Sequence, residues 1–126
     1  MDHVVLTVTT TGSDGAAVGS TESELLISGK IMAVVLDYHA SAPNTTDVNL
    51  YMTDTPSYLI LDYDNKNADI GLHPRKQACI ADGTAVTIDG TYFDAEPYIV
   101  HGKLTLAVAG CNALTGAVTA WIFYEE

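Results

Sequence analysis

Apolar and β-branched residues alternate with polar ones over most of this chain, and turn-forming residues interrupt the alternation about every eight to twelve residues. The alternation is clearest at Leu104, Leu106 and Val108 and again in residues 118–124. A period of two places successive side chains on opposite faces of a β-strand, and no segment shows the spacing of an amphipathic helix. The pattern predicts about eight antiparallel strands packed as a β-sandwich or barrel, in a single domain over residues 1–126.

The longest apolar segment, residues 25–38, carries apolar side chains at both parities, which is typical of a central strand covered on both faces. A helix is the competing interpretation, but Gly29 and the Ile and Val content lower its helix propensity. We therefore expect a long strand, bent or broken near Gly29 and Lys30. Residues 19–21 are expected to form a loop, residues 54–57 a turn and residues 110–116 a hairpin-like connection. Residues 47–52, 78–80 and 85–88 are expected to form strands. The predicted core residues are Leu25, Ile27, Ile31, Val35, Leu104, Leu106, Val108 and Ile122.

Charge and length exclude several classes of function. The 126 residues include five Lys and Arg against sixteen Asp and Glu, for a formal net charge of -11. A nucleic-acid-binding protein needs cations to replace phosphate counterions, and a protein that docks on anionic lipid needs them as well. The longest purely apolar run, residues 31–36, is far below the roughly twenty residues of a membrane span. We expect neither nucleic acid nor a membrane as a partner.

The best candidate for a metal site is the polar loop at residues 62–69. Its oxygen-bearing side chains are those of Asp62, Asp64, Asn65, Asn67 and Asp69, and calcium prefers several such ligands on a flexible loop. The spacing departs from that of an EF-hand, because Lys66 occupies a ligand position and neither the glycine nor the closing glutamate is present. Asp and Asn also build turns by bonding their own backbone. Turn chemistry is the favoured interpretation, with calcium as the alternative, and we predict no metal and no cofactor.

Catalytic signatures are missing from the sequence. The four histidines, at positions 3, 39, 73 and 101, are scattered, and neither a Gly-x-Ser-x-Gly elbow nor a His-Glu-x-x-His helix motif occurs. Nucleophilic catalysis requires a base beside a Ser or Cys, with a third group to orient the base. Paired carboxylates of the glycosidase kind stay open in so acidic a chain, although most of the acids fall in turns. The sequence predicts a protein that is not an enzyme and has no catalytic residues.

The single basic spot consists of His73, Arg75 and Lys76, and Arg75 is the only arginine of the chain. Its guanidinium is suited to bidentate pairing with a carboxylate of a neighbouring subunit, which makes these three residues the candidate interface. An internal ion pair or a solvated loop is the equally weighted alternative.

Three other residue types admit a structural and a functional interpretation. Trp121 has the opposite parity to Ile122, so one of the two faces a second apolar layer or an interface; core packing is the favoured role for Trp121. The seven tyrosines suggest sugar stacking, but Tyr is also a common strand residue. Cys79 and Cys111 match no zinc or redox spacing and are expected to be buried thiols.

Several segments in order resemble the small virion structural proteins of tailed bacteriophages. These are the threonine-rich first strand followed by Gly-Ser-Asp-Gly, then residues 27–38, 45–50, 65–75, 100–108 and 118–125. The resemblance implies a jelly-roll β-sandwich that decorates the capsid or acts as a minor head protein in the virion, bound to the major capsid protein or to other virion proteins. It further implies a homo-oligomer, with a trimer favoured, and carries no catalytic residues. The alternative is a carbohydrate- or receptor-binding jelly-roll module of a phage tail or fibre.

Overall fold

The computed structural model describes residues 1–77, 87–88, 91–92 and 95–126, and these residues form strands, turns and loops without a helix. The prediction of an all-β fold is confirmed. The strands, in chain order, are β1 (Asp2–Val8), β2 (Ala17–Glu22), β3 (Ile27–Tyr38), β4 (Asp47–Met52), β5 (Thr55–Tyr63), β6 (Ile70–Leu72), β7 (Arg75–Gln77), β8 (Thr87–Ile88), β9 (Thr91–Tyr92), β10 (Ala95–Pro97), β11 (Ile99–Gly102), β12 (Leu104–Cys111) and β13 (Val118–Glu125).

Two antiparallel sheets contain most of these strands. In the first sheet the order is β1-β13-β3, and the far edge of β3 pairs with β11 at one end and with β6 at the other. In the second sheet the order is β2-β12-β4-β5. Two short ribbons, β7 with β10 and β8 with β9, lie outside both sheets. The antiparallel pairing and the two sheets agree with a β-sandwich.

A single apolar core lies between the sheets. The first sheet contributes Ile31 and Ile122, and the second contributes Leu50, Leu104 and Leu106, each with no exposed surface. Burying a side chain of this size stabilises the fold by about 1.5–3 kcal/mol. Six of the eight predicted core residues are buried: Ile27, Ile31, Leu104, Leu106, Val108 and Ile122.

The prediction for Val35 is wrong, and a β-bulge is the reason. Ile31 pairs with Tyr124 and Ala33 with Phe123, so Met32 is an extra residue on β3. An extra residue moves every later side chain to the other face of the strand. Residues 27 and 31 therefore point inward on one parity, residues 34, 36 and 38 on the other, and Val35 is half-buried on the outer face. The strand is not broken at Gly29, although this residue has a positive φ of 138°, and its register shift lies at Met32.

The prediction for Leu25 is also wrong, because this residue precedes β3 and is 74% exposed. The buried position in this connection is taken by Ser23, whose hydroxyl donates to the Leu25 carbonyl (2.9 Å) and accepts from the Leu104 amide (3.0 Å). The Ser23 amide donates back to the Leu104 carbonyl (2.8 Å). These three bonds hold Ser23 inside, and the chain then carries Leu25 outward.

The predicted loop at residues 19–21 belongs instead to a strand, β2, which pairs with β12. Gly19 is required there because a Cβ atom at this position would collide with the carbonyl oxygen of Thr9. The predicted turn before residue 58 is likewise a strand, since β5 begins at Thr55. Pro56 is tolerated because β5 is an edge strand, where a missing N–H costs no ladder bond.

The hairpin expected at residues 110–116 is a crossover, since β12 lies in the second sheet and β13 in the first. Buried Thr10 secures it: the Thr10 hydroxyl donates to the Asn112 carbonyl (2.6 Å) and accepts from the Leu114 amide (3.1 Å). Of the strands expected at residues 78–80 and 85–88, the first lies outside the described residues, and β8 falls within the second.

Candidate functional site

A groove of about 350 Å³ runs across the outer face of the second sheet. Ala107 and Ala109 of the central strand β12 form its floor, and the neighbouring strands β2 and β4 supply the walls. Because both floor residues end at Cβ, the larger side chains on either side stand above them. The groove therefore follows directly from two alanines at outward positions of the middle strand.

Polar and aromatic groups line the walls of this groove. Ser20 of β2 and Asn49 of β4 both pair with Ala107 and so lie on the same outward row. Asp47 pairs with Ala109, and Tyr51 is the next outward residue of β4. A carboxylate, an amide, a hydroxyl and an aromatic ring thus border one open cavity. Its volume falls in the range of small-molecule sites.

An acidic cluster of Asp47, Asp62 and Asp64 lies at the rim. The Asn49 amide, in the orientation that satisfies its neighbours, donates to Asp62 Oδ1 (2.9 Å). The pKa of the Asp64 carboxyl is raised, first by desolvation, then by its hydrogen bond to Asp62 and by the negative charges of Asp62 and Asp47. The rim therefore has a negative potential that attracts cations and repels phosphates. Its carboxylates can also accept hydrogen bonds from hydroxyl-rich ligands.

The polar loop at residues 62–69 is held by its own side chains. Asp47 Oδ1 accepts from the backbone N–H of Asn65 (2.9 Å), and Asp69 Oδ1 accepts from the backbone N–H of Tyr38 (2.8 Å). The Asn67 side chain donates to the Ala42 carbonyl (3.0 Å), and Asn65 adopts a left-handed conformation with φ of 56°. These bonds tie the loop to residues 18 to 31 positions away in the chain, so they are long-range anchors and differ from the local side-chain-to-backbone turns that the composition predicts. Within the described ranges, no group of three or more His, Cys, Asp or Glu side chains is arranged to hold a metal ion.

The candidate interface at His73, Arg75 and Lys76 lies on and beside the small β7–β10 ribbon, away from the groove. Lys76 Nζ contacts Glu96 Oε1 at 2.7 Å, which is the internal ion pair of the alternative interpretation. Arg75 Nη1 donates to the carbonyls of Met32 (3.1 Å) and Pro74 (2.8 Å) and ties the ribbon to β3. His73 is exposed. The pairing of Arg75 with a neighbouring subunit stays a prediction.

The remaining candidates are distributed over the fold. Trp121 is half-buried on the outer face of the first sheet and outside the core, so its core role was wrongly predicted. Among the tyrosines, Tyr51 borders the groove, whereas Tyr58 and Tyr98 pack edge to face with ring centroids 5.6 Å apart. Cys111 is buried as expected, and Cys79 lies outside the described residues.

The sequence interpretation did not select the groove residues. The available signal was the parity of β4, where Asn49 and Tyr51 alternate with apolar Val48, Leu50 and Met52. The alternation alone does not predict a groove, because the groove also requires the small residue Ala107 to lie between β4 and β2.

No family model, curated protein sequence or solved structure matches the chain. The part of the chain that the structure describes contains no helix with the length and apolarity to cross a membrane.

Proposed function

We propose that this protein is a structural component of a tailed-phage virion, a capsid decoration or minor head protein that binds the major capsid protein or another virion protein. It acts by packing and recognition, without a catalytic step. The observation that carries the proposal is the order of the strands. It is supported by the resemblance of the sequence segments to small phage structural proteins.

The strand order supports a jelly-roll connectivity. The chain crosses between the sheets after β1, β2, β3 and β5, and again after β11 and β12. Early and late strands become neighbours as a result: β1 pairs with β13, and β2 pairs with β12. These crossovers support our proposal that the double sheet is of the jelly-roll type, which recurs in viral capsid and lectin domains. Fold alone does not assign a function, so the role has to be tested on particles.

The charge of the protein indicates the chemistry of its partner. A formal net charge of -11 favours a docking surface with basic residues over contact with packaged DNA. We also propose a homo-oligomer, with a trimer as the preferred closed arrangement. Its subunit contacts must be mainly apolar, because like charges of this magnitude oppose self-association at low salt. Light scattering at several salt concentrations checks this, and a monomer at every concentration would contradict it.

Particle association is the decisive experiment. Phage particles that encode the protein are purified on a density gradient, and quantitative mass spectrometry measures its copies per major capsid protein. We expect a fixed, reproducible ratio that survives washing in moderate salt. Recovery of the protein only in the particle-free lysate would refute the virion role.

A second candidate function is carbohydrate or receptor binding in a phage tail or fibre, and the groove on the second sheet favours it. Hydroxyl-rich ligands are recognised by carboxylates and amides that accept and donate hydrogen bonds, with an aromatic ring against the apolar face of the sugar. Asp47, Asn49 and Tyr51 supply these three groups along one strand.

Glycan-array binding tests this second function with a matched pair of variants. Asn49→Ala removes a groove amide, whereas Asn44→Ala removes an exposed amide from a loop. Sugar recognition predicts that only Asn49→Ala loses binding. A wild-type protein that binds no glycan, or equal loss in both variants, would exclude the groove as a sugar site.

A further inference from the structure

Five of the seven residues of β1, residues 2–6, form an exposed strand edge. β1 pairs with β13 through seven consecutive residues without a register shift, and among the described residues no second strand pairs with residues 2–6. Beyond them β2 covers the edge, since Thr21 Oγ1 donates to the Thr7 carbonyl (2.7 Å) and Gly19 packs against the Thr9 carbonyl. The open edge is therefore about five residues, or roughly 16 Å, long.

This edge lacks the usual protection against pairing. Natural edge strands are commonly blocked by charged side chains, above all lysine, by proline or by a bulge. Residues 2–6 contain no lysine or proline, their one acidic residue is Asp2 at the first position, and their pairing with β13 is regular. A regular edge of this kind presents unpaired backbone N–H and C=O groups as a template for another strand.

A cleft of about 270 Å³ lies beside the open edge. Its apolar lining includes Val5 and Leu6 of β1 and Leu25 from the connection to β3. Val5 is 44% exposed and Leu25 is 74% exposed, and the adjacent Leu26 is 66% exposed. Val5 and Leu25 thus expose apolar surface at one cleft, where an incoming apolar side chain would remove them from water.

The surroundings of the cleft are acidic. Glu22 and Glu24 line it. Asp2 and Glu126 lie at the start of the edge, near Tyr124: desolvation raises the pKa of the Tyr124 hydroxyl, and the negative charges of these two residues raise it further. Lys103 approaches Glu22 at 3.5 Å and offsets part of this charge. A second copy of this chain would bring the same carboxylates against each other, whereas a basic partner would be attracted.

We propose that the β1 edge accepts an extended segment of another protein, which adds to the first sheet as a further strand. The segment has apolar residues at every second position, seated in the cleft against Leu25. It has Lys or Arg at its two ends, one facing Glu22 and Glu24 and the other facing Asp2 and Glu126 at the start of the edge. Main-chain bonds supply affinity, and the cleft and its acids supply specificity, as in other cases of strand addition. This surface does not depend on the virion role proposed above.

A designed peptide tests the proposal. The probe is KVTVTVK with blocked termini and a fluorescent label, and its binding is followed by fluorescence anisotropy. Two further versions carry N-methyl groups on one or the other alternate set of amides. Strand addition uses only one edge of the peptide, so one methylated version should lose at least tenfold in affinity and the other should bind like the parent. Hydrogen exchange should slow at alternate amides of residues 2–6.

Control peptides test the charge preference of the cleft, and control variants test where the peptide binds. The peptide EVTVTVE should bind at least tenfold more weakly than KVTVTVK. Leu25→Ser removes the apolar contact without adding charge and should weaken binding of the basic peptide, whereas Ile99→Ser, at a 60% exposed residue of β11 in the same sheet, should not. The double variant E22K/E24K provides a second test that leaves Leu25 intact, and it should reverse the preference between the two peptides.

Several results would overturn the proposal. They are absence of KVTVTVK binding at millimolar concentration, equal binding of both methylated peptides, equal binding of the acidic peptide, or unchanged binding to Leu25→Ser. A wild-type dimer that Leu25→Ser dissociates would show that the occupant is a second copy, which also contradicts it.

Discussion

The two sheets have similar inner faces and different outer faces. Inside, both present fully buried aliphatic residues such as Leu36 and Leu106. Outside, one registered row of the first sheet reads Val5, Trp121, Val35 and Gly71. The corresponding row of the second sheet reads Ser20, Ala107, Asn49 and Asp62.

The inner faces of the two sheets provide stability, whereas the outer faces carry the candidate recognition surfaces. The inner faces share one requirement, exclusion of water, and they meet it with interchangeable aliphatic residues. The outer faces have no such common requirement, so their chemistry is free to differ. The first sheet carries an apolar row that reaches the open edge of β1, and the second carries a polar groove.

The largest expected effect on stability comes from truncating a leucine of an inner face, compared with truncating an exposed leucine. Leu36→Ala leaves a cavity in the core and should lower the free energy of unfolding by about 2–5 kcal/mol. Leu25→Ala removes an exposed side chain and should change it by less than about 0.5 kcal/mol. Urea unfolding of both variants measures this, and equal losses would contradict the burial difference.

Two glycines of the first sheet provide the next contrast. A Cβ at Gly29 would collide with the carbonyl oxygen of Glu125, and its φ of 138° is unfavourable for an L-residue. Gly29→Ala should therefore cost about 1–3 kcal/mol. At Gly71, in the outer row, a Cβ meets nothing within 4 Å, so Gly71→Ala should be neutral or slightly stabilising. Thermal melts that rank the variants in the opposite order would refute this assignment.

A buried tyrosine of the inner face should make the stability of the protein depend on pH. Tyr38 faces inward, and its buried hydroxyl has no hydrogen-bond partner among the described residues. Burial, with smaller effects from Tyr63 and Asp69, raises the pKa of Tyr38 above its ordinary value of 10.0. Above about pH 10 the unfolded chain therefore loses this proton while the folded protein retains it. Stability should then fall by as much as about 1.4 kcal/mol per pH unit.

Urea unfolding between pH 9 and pH 11 measures this slope. Tyr38→Phe should flatten it, and it should be neutral or stabilising at pH 7 because it removes an unpaired buried hydroxyl. Tyr51→Phe, on the outer face, is the matched control and should leave the slope unchanged. An unchanged slope in Tyr38→Phe would contradict the role of this residue.

The smallest effect is expected outside both sheets, at the ion pair of Lys76 with Glu96. Both side chains keep more than a third of their surface in solvent, so their coupling should not exceed about 1 kcal/mol. A double-mutant cycle with alanine at both positions measures it, and the coupling should decrease in 1 M salt. A salt-independent coupling above this range would show that the ribbon is held by a buried pair.

The local sequence pattern predicted the strand bounds and the buried face correctly where a strand is regular. The bounds of β4 match the prediction, residues 47–52, and the alternation at Leu104, Leu106, Val108 and Ile122 identifies the core face of β12 and β13. It failed where one residue changes the phase: the extra Met32 reverses the faces of β3, and β2 is a strand despite the turn residues Gly19 and Ser20. In both places pairing with a distant strand overrides the local preference.

The amino-acid sequence by itself determined that the chain forms antiparallel strands around one apolar core, because side-chain alternation and turn residues act over only a few residues. Tertiary structure decided which strands pair, which face of β3 is buried, and that β12 crosses to β13 instead of forming a hairpin. It also decided the sites. The groove arises only when Ala107 lies between Ser20 and Asn49, and the open edge only where β2 diverges from β1. These placements depend on contacts between residues far apart in the chain, which no short pattern encodes.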